Sequence, residues 1–257
     1  MEKLYHIQLD DSHQAKYALL PGDPARVEKI AQFLDNPQFI GCNREYTTWL
    51  GQLAGKNVLV MSTGMGGPST AIGIEELFQT GVTNFLRVGT CGGIKLDVMG
   101  GDIVIATGAI RMDGTPDEYV PKEFPAVADF EFTGSLVQAA KNLNVNYHTG
   151  IVHCKDSFYG QHNPGRMPVG YELEAKWQAW FKANCLASEM ESSTLFIVSQ
   201  ILGARAACVL NVVWNQERAK RCLSDPHQHD TELAVRVAVE AVREDIIKQN
   251  NADWQRK

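Results

Sequence analysis

The chain has 257 residues, which is enough for one large domain or two small ones. Hydrophobic residues make up 44% of it and charged residues 21%, a composition that excludes a disordered or fibrous protein. With 24 basic and 30 acidic side chains the net charge is −6, which argues against nucleic acid or an anionic membrane surface as the main partner.

Short apolar segments that are typical of strands alternate with helical patterns along the chain. Strands that are apolar on both faces belong to a sheet that helices cover on both sides. The predicted strands are Val58–Met61, Phe85–Val88, Ile103–Ile105, Gly150–Val152 and Ala206–Leu210. No linker or repeat interrupts the alternation, which predicts a single α/β domain over residues 1–257, with a twisted, largely parallel central β-sheet flanked by helices.

The predicted helices have clear starts and apolar stripes. Asp23 caps the first, Pro68 opens a helix that ends at Gln79 before Gly81, and Asp230 caps the last. The stripes are Val27, Ile30, Ala31 and Leu34 in the first helix, and Val235, Ala238, Val239, Val242 and Ile246 in the last. Ligands collect where the strands of such a sheet end, so the residues after each strand are the candidates for function.

The sequence also predicts the compartment. The first residues contain no basic segment followed by an apolar one, and no run approaches about 18 apolar residues, so we expect neither a secretory signal nor a membrane span. The six cysteines form no CxxC pair and are predicted to be free thiols of a cytoplasmic protein. They are Cys42, Cys91, Cys154, Cys185, Cys208 and Cys222.

Two arginines occupy unusual positions. Arg26 lies in the first turn after Asp23, where the helix dipole disfavours a cation unless an anion binds there; the alternative is an ion pair with Glu28 or Glu2. Arg87 lies within a buried strand, which is costly unless something anionic meets it. The glycine-rich segment after it, predicted to be a turn, favours an anion site over a structural salt bridge.

The segment Glu189-Met190-Glu191 precedes a predicted helix over residues 192–202. If it is extended, both carboxylates point to one side and suit a metal or a sugar diol; the alternative is an acidic first turn of that helix. His227 and His229 lack further ligands at a recognisable spacing and indicate a solvated loop. The glycine clusters at residues 51–57 and 62–69 fail the nucleotide-binding patterns.

These segments together resemble the nucleoside phosphorylase-I family. The motifs in family order are Leu20-Pro-Gly-Asp-Pro-Ala-Arg26, Arg44-Glu45-Tyr46, Ser62-Thr-Gly-Met-Gly-Gly-Pro-Ser69, Arg87-Val-Gly-Thr-Cys-Gly-Gly93 and Glu189-Met-Glu-Ser192. The segments Phe124-Pro-Ala-Val-Ala-Asp129 and Phe158-Tyr-Gly-Gln161 are similar to members that act on pyrimidine nucleosides. The resemblance runs from about Tyr5 to the last helix.

The resemblance implies reversible phosphorolysis of uridine to uracil and ribose 1-phosphate, with inorganic phosphate as co-substrate and no required cofactor. It also implies a trimer of dimers, in which Arg44 and His6 reach the neighbouring subunit's site. Phosphate would be bound by Gly22, Arg26, Arg44, Arg87 and Thr90, ribose by His6, Thr90, Met190 and Glu191, and uracil by Phe158, Gln161 and Arg166. Catalysis would fall to Arg87, Glu191, Gln161 and Arg166, and an interface K⁺ would map onto Glu45, Met65 and Ser69.

Two departures from the family pattern concern the base. No arginine stands two positions after Gln161, so Arg166 is predicted to reach the base by another loop path, with Asn163 as the alternative. Trp214 is expected beside the base, and Asn215 stands where purine-specific relatives have an aspartate. The competing hypotheses are a purine nucleoside phosphorylase, a nucleosidase that uses water, and a non-catalytic nucleoside-binding protein.

Overall fold

Ten strands form one sheet in the computed structural model, which describes residues 2–255 and the side chains up to residue 251. The strands are β1 (Tyr17–Leu20), β2 (Asp35–Asn43), β3 (Tyr46–Leu53), β4 (Lys56–Met61), β5 (Asn84–Gly93), β6 (Ile103–Met112), β7 (Ala126–Val127), β8 (Tyr147–Lys155), β9 (Ala187–Glu189) and β10 (Arg205–Asn215). The helices are α1 (Val27–Ala31), α2 (Gly67–Gln79), α3 (Phe130–Asn142), α4 (Phe158–His162), α5 (Gly170–Lys182), α6 (Ser192–Ile201), α7 (Gln216–Lys220) and α8 (Glu232–Gln255).

The sheet is mixed, so the prediction of a largely parallel sheet is wrong. The strand order is β10-β6-β8-β9-β5-β1-β4-β3-β2, and β10 also pairs with β5, which closes five strands into a ring. Half of the pairings are antiparallel. Tight turns at Arg44 and at Ala54-Gly55, all with positive φ, join β2, β3 and β4, and strands joined so closely must be antiparallel.

All five predicted strands are confirmed, and their side chains divide between two cores. In β4, Leu59 and Met61 face one apolar cluster while Val58 and Val60 face the other. The first cluster lies under α2 and α6, and the second lies under α1, α3 and α8. This division explains why the strands are apolar on both faces, because helices cover each side of the sheet.

The helix predictions are also confirmed, with one correction in the glycine-rich segment after Arg87. The residues of both predicted stripes are buried in α1, the turn after it, and α8. Gly81 ends the second helix with φ +100°. The predicted turn at residues 89–93 is instead the second half of β5, because its backbone pairs with β10 as far as Asn215.

All six cysteines are free, as predicted, and four of them are buried. Within residues 2–255, no helix is long and apolar enough to cross a membrane.

A bidentate ion pair ties α8 to the sheet, and we expect its loss to cost stability. Arg205 contacts both carboxylate oxygens of Asp245 at 2.9 Å, and the Tyr17 hydroxyl donates to the same carboxylate. Asp245→Ala should lower the free energy of unfolding by about 3 kcal/mol, because it leaves these donors unpaired. Urea unfolding at fixed protein concentration measures this change. Glu232→Ala, which breaks an exposed pair with Arg236 in the same helix, should cost less than about 1 kcal/mol; equal losses would contradict the prediction.

Candidate active site

A cleft of about 960 Å³ opens where the strands end. The segments after β1, β4, β8 and β9 line it together with the second half of β5 and the end of β10. Of the residues singled out from the sequence, the cleft brings together Gly22, Arg26, Glu45, Met65, Ser69, Arg87, Thr90, Phe158, Gln161, Met190, Glu191 and Trp214. The lining does not include His6, Arg44, Asn163, Arg166 or Asn215.

Arg87 lies at the bottom of the cleft between two buried carboxylates. Its Nε lies 3.0 Å from Glu189 Oε2, and its Nη2 contacts Glu191 Oε2. A Cβ atom on Gly89 would lie 2.7 Å from Nη2, so the guanidinium lies directly over a glycine. The structural salt bridge that the sequence left as an alternative therefore exists, and the same arginine still faces the cleft.

The two carboxylates differ in electrostatic state. Burial alone would lower the pKa of Arg87, but Glu191 and Glu189 raise it, so the guanidinium stays charged. Burial raises the pKa of Glu191, and the charge of Arg87 opposes this only in part. Burial would also raise the pKa of Glu189, but Arg87 and hydrogen bonds from Ser192 hold it below its ordinary value. Glu189 is thus the fixed counterion, and Glu191 is the group that accepts a proton more easily.

Hydrogen bonds separate the roles of the two carboxylates further. Glu189 accepts from the backbone N–H groups of Glu191 and Ser192 and from the Ser192 hydroxyl, so it caps the start of α6. Glu191 accepts from the Gly66 N–H at 2.6 Å. The first-turn interpretation is therefore wrong: the first turn of α6 contains no acidic residue, Glu189 ends β9, and both carboxylates point to one side, toward Arg87. Met190 and Glu191 line the cleft.

Gly22, Arg26 and Thr90 form a corner of the cleft beside Arg87. A Cβ on Gly22 would lie 2.9 Å from the Gly64 carbonyl oxygen and 4.0 Å from Arg87 Nη1, so this guanidinium nitrogen borders a position that only glycine fits. Arg26 and Thr90 complete the corner. Burial lowers the pKa of Arg26, and repulsion by Arg87 adds to the effect. An anion bound here would relieve that repulsion.

The ion pairs predicted as alternatives for Arg26 are absent from the side chains that the structure describes. Its one ion-pair contact there is with Asp23, at 4.0 Å, the outer limit for such a pair. Arg26 is therefore available to a ligand.

Phe158, Gln161 and Trp214 form the opposite end of the cleft. The Ser188 hydroxyl donates to Gln161 Oε1 at 2.6 Å, and Gln161 Nε2 donates to Gln216 Oε1 at 3.0 Å, so the amide is held from both sides. The sequence did not single out Ser188, Gln216 or the buried Lys155 that also lies here. A cation in a buried strand, the signal that identified Arg87, would have identified Lys155 if the predicted strand Gly150–Val152 had been extended to residue 155.

Arg166, its alternative Asn163 and the nearby Asn215 all lie outside the lining of the cleft. Arg166 is the last residue of a tight turn that begins at Pro164, and its guanidinium lies 5.2 Å from the centre of the Tyr159 ring, outside the cleft. Asn215 is buried, donates to the carbonyls of Lys95 and Val98, and caps α7, so it does not face the base position. Asn163 is exposed at the end of α4.

His6 and Arg44 lie outside the cleft of their own chain. Arg44 lies at the β2–β3 turn with its guanidinium 5.8 Å from the centre of the Tyr5 ring, and the Asn43 side chain donates to the His6 carbonyl at 2.7 Å. The two residues thus share one surface, next to Glu45, which lines the cleft.

The three residues predicted for a monovalent cation lie at the edge of the cleft. Ser69 Oγ donates to Glu45 Oε1 at 2.7 Å, which provides two neighbouring oxygens of the kind that hard cations prefer. Met65 is 84% exposed, and its thioether is not such a ligand, so only its carbonyl would suit. Across the described part of the chain, no three His, Cys, Asp or Glu side chains could hold a metal ion. His227 and His229 lie in an exposed loop, as expected.

Comparison with known proteins assigns the family. Residues 16–248 match the sequence profile described as "Phosphorylase superfamily". The chain belongs to the phosphorylase superfamily. A uridine phosphorylase of Treponema pallidum is 54% identical over 239 residues, which cover 93% of each chain. A uridine phosphorylase of Escherichia coli is 40% identical over 93% of this chain and 97% of the relative. A guanosine phosphorylase of Halorubrum lacusprofundi is 35% identical over 94% of this chain and 99% of the relative.

Proposed function

We propose that this superfamily member is a pentosyltransferase that cleaves uridine reversibly with phosphate, giving uracil and ribose 1-phosphate. One observation carries the proposal: a single cleft holds an arginine corner at one end, the Glu191 carboxylate in the middle and the oriented amide of Gln161 at the other. These three chemistries correspond to phosphate, sugar hydroxyls and a base with a carbonyl–NH–carbonyl edge.

The arrangement suits a reaction that needs positioning more than covalent chemistry. Phosphate held by Gly22, Arg26, Arg87 and Thr90 would attack C1′ of the ribose as the bond from C1′ to the base breaks. The sugar passes through an oxocarbenium-like state, which an anion fixed on one face stabilises. Glu191 and Met190 would hold the ribose. The electron pair of the bond between C1′ and the base would leave with the base.

The surface around Arg44 and His6 supports a site shared between subunits, in the trimer of dimers that we propose. Tyr5, Met65 and Phe39 are large apolar side chains with more than half of their surface exposed, which is typical of an interface. In such an assembly Arg44 would add to the neighbouring phosphate corner and His6 would reach the ribose. Glu45, Ser69 and the carbonyl of residue 65 would hold K⁺ where two subunits meet. The free thiols fit the cytoplasm.

Base release from uridine, thymidine, inosine and adenosine, each with and without phosphate, tests the proposal. We expect uridine to be cleaved only with phosphate and inosine to be cleaved negligibly. Uridine cleavage that does not need phosphate would indicate a nucleosidase. Because a guanosine phosphorylase is among the relatives, rapid phosphorolysis of inosine would instead favour a purine enzyme. No base release from any of the four would favour a binding protein.

A further inference from the structure

Lys155 is a buried cation that the proposed roles leave unused. It is the last residue of β8, with 5% of its surface exposed, and it lines the cleft beside Phe158 and Gln161. It also lines a smaller cavity of about 190 Å³ behind them. Within residues 2–251 it forms no ion pair, although a buried ammonium is costly unless something negative meets it.

The hydrogen bonds of Lys155 leave part of its donor capacity free. Nζ donates to Ser188 Oγ at 2.8 Å and to the Glu189 carbonyl oxygen at 3.5 Å, the limit for such a bond. An ammonium has three N–H groups, so at least one has no acceptor among the described residues. Burial lowers the pKa of Lys155, and a bound group with negative charge would restore it.

The same contacts join the ammonium to the amide that faces the base. Ser188 Oγ accepts a hydrogen bond from Lys155 Nζ and donates one to Gln161 Oε1 at 2.6 Å, while Gln161 Nε2 donates to Gln216 Oε1. One network therefore fixes the cation and the amide together at the base end of the cleft.

Other cations fit this position less well. Arg26 and Arg87 belong to the phosphate corner, and Arg166 lies outside the cleft on Tyr159. His162 lines the base end, but burial lowers its pKa, which favours the neutral ring. His227 and His229 border the cleft only from their exposed loop.

We propose, on the basis of the function proposed above, that Lys155 is a catalytic residue that donates a hydrogen bond to a carbonyl oxygen of uracil as the base leaves. When the bond between C1′ and N1 breaks, its electron pair passes to the base and spreads onto the two carbonyl oxygens, while a phosphate oxygen bonds to C1′. Lys155 keeps its proton and stabilises the charge that develops. A donor aimed at such charge contributes more in the transition state than in the ground state.

Leaving-group dependence tests this role. Lys155→Met should lower kcat for uridine by about 10²–10³ with little change in the KM for phosphate. It should lower kcat for 5-fluorouridine far less, because fluorine withdraws electrons and its base anion needs less stabilisation. The ratio of the two kcat values, 5-fluorouridine over uridine, should therefore rise about tenfold or more relative to the unaltered enzyme.

Two further variants make the test specific. Lys155→Gln loses the charge, so it should raise the same ratio of kcat values. Because it keeps a hydrogen-bond donor for Ser188, it remains a test if Lys155→Met fails to fold. Lys176→Met, an exposed lysine that borders only the smaller cavity, should leave the ratio unchanged. Equal losses on both substrates, or no loss, would overturn the role of Lys155. Failure of the unaltered enzyme to cleave uridine would instead overturn the proposed function.

Discussion

Replacing Arg87 by methionine is expected to abolish phosphorolysis and to destabilise the protein. The activity should fall by about 10³-fold or more, because the substitution removes a donor that borders the anion corner. The free energy of unfolding should fall by about 3–5 kcal/mol, because Glu189 and Glu191 then remain buried without their counterion. Base release from uridine and urea unfolding measure the two losses.

The loss of stability should depend on pH with a defined sign. Burial raises the pKa of Glu191, and in Arg87→Met no guanidinium opposes that shift. The folded variant then binds more protons than its unfolded chain, so its stability should fall as the pH rises. A destabilisation that grows toward acidic pH would contradict the ion-pair account.

A second substitution separates the structural role of Arg87 from its catalytic role. Adding Glu189→Gln to Arg87→Met removes one of the two unpaired charges, at a residue with no proposed contact to a ligand, and should restore part of the stability. The same double variant should stay inactive, because the guanidinium is still missing. Recovery of activity together with stability would show that Arg87 acts only through folding.

Mixing two inactive variants should restore activity if the site is shared between subunits. Arg26→Ala and Arg44→Ala are each expected to lower turnover by about 10²-fold or more, because each removes a cation from the phosphate corner. In a mixed dimer one site lacks both arginines and the other has both. With random exchange, about a quarter of all sites should therefore regain full function.

The matched control places both substitutions in one chain. A dimer of Arg26→Ala/Arg44→Ala with the unaltered protein has no complete site, because one site lacks Arg26 and the other lacks Arg44. With random exchange, mixing should thus recover activity for the two single variants and lower it by about half for the control pair. Mass measurements verify that mixed oligomers have formed. If they have formed and the activity does not recover, Arg44 does not contribute to the neighbouring site.

The sequence by itself determined five of the ten strands and the helices that begin near Asp23, Pro68, Ser192 and Asp230, and it singled out Arg26 and Arg87. These signals are local: a strand shows in a short apolar run, and a cap such as Asp23 bonds to the N–H two residues away. An arginine in a buried strand is costly wherever that strand lies, so Arg87 was recognisable without its partners.

Only the tertiary structure decided which groups meet at the strand ends. Arg87 and Glu189 are 102 residues apart, and neither one shows that the other is its counterion. The antiparallel pairing of β9 with β5 places them together, and the parallel pairing of β9 with β8 brings Ser188 to Lys155. Likewise, Arg166 and Lys155 are both cations near Gln161 in the sequence. The turn at Pro164 carries Arg166 to Tyr159. In contrast, β8 ends with Lys155 inside the cleft. The neighbouring strands, rather than nearby residues in the sequence, set the direction of a side chain at a strand end.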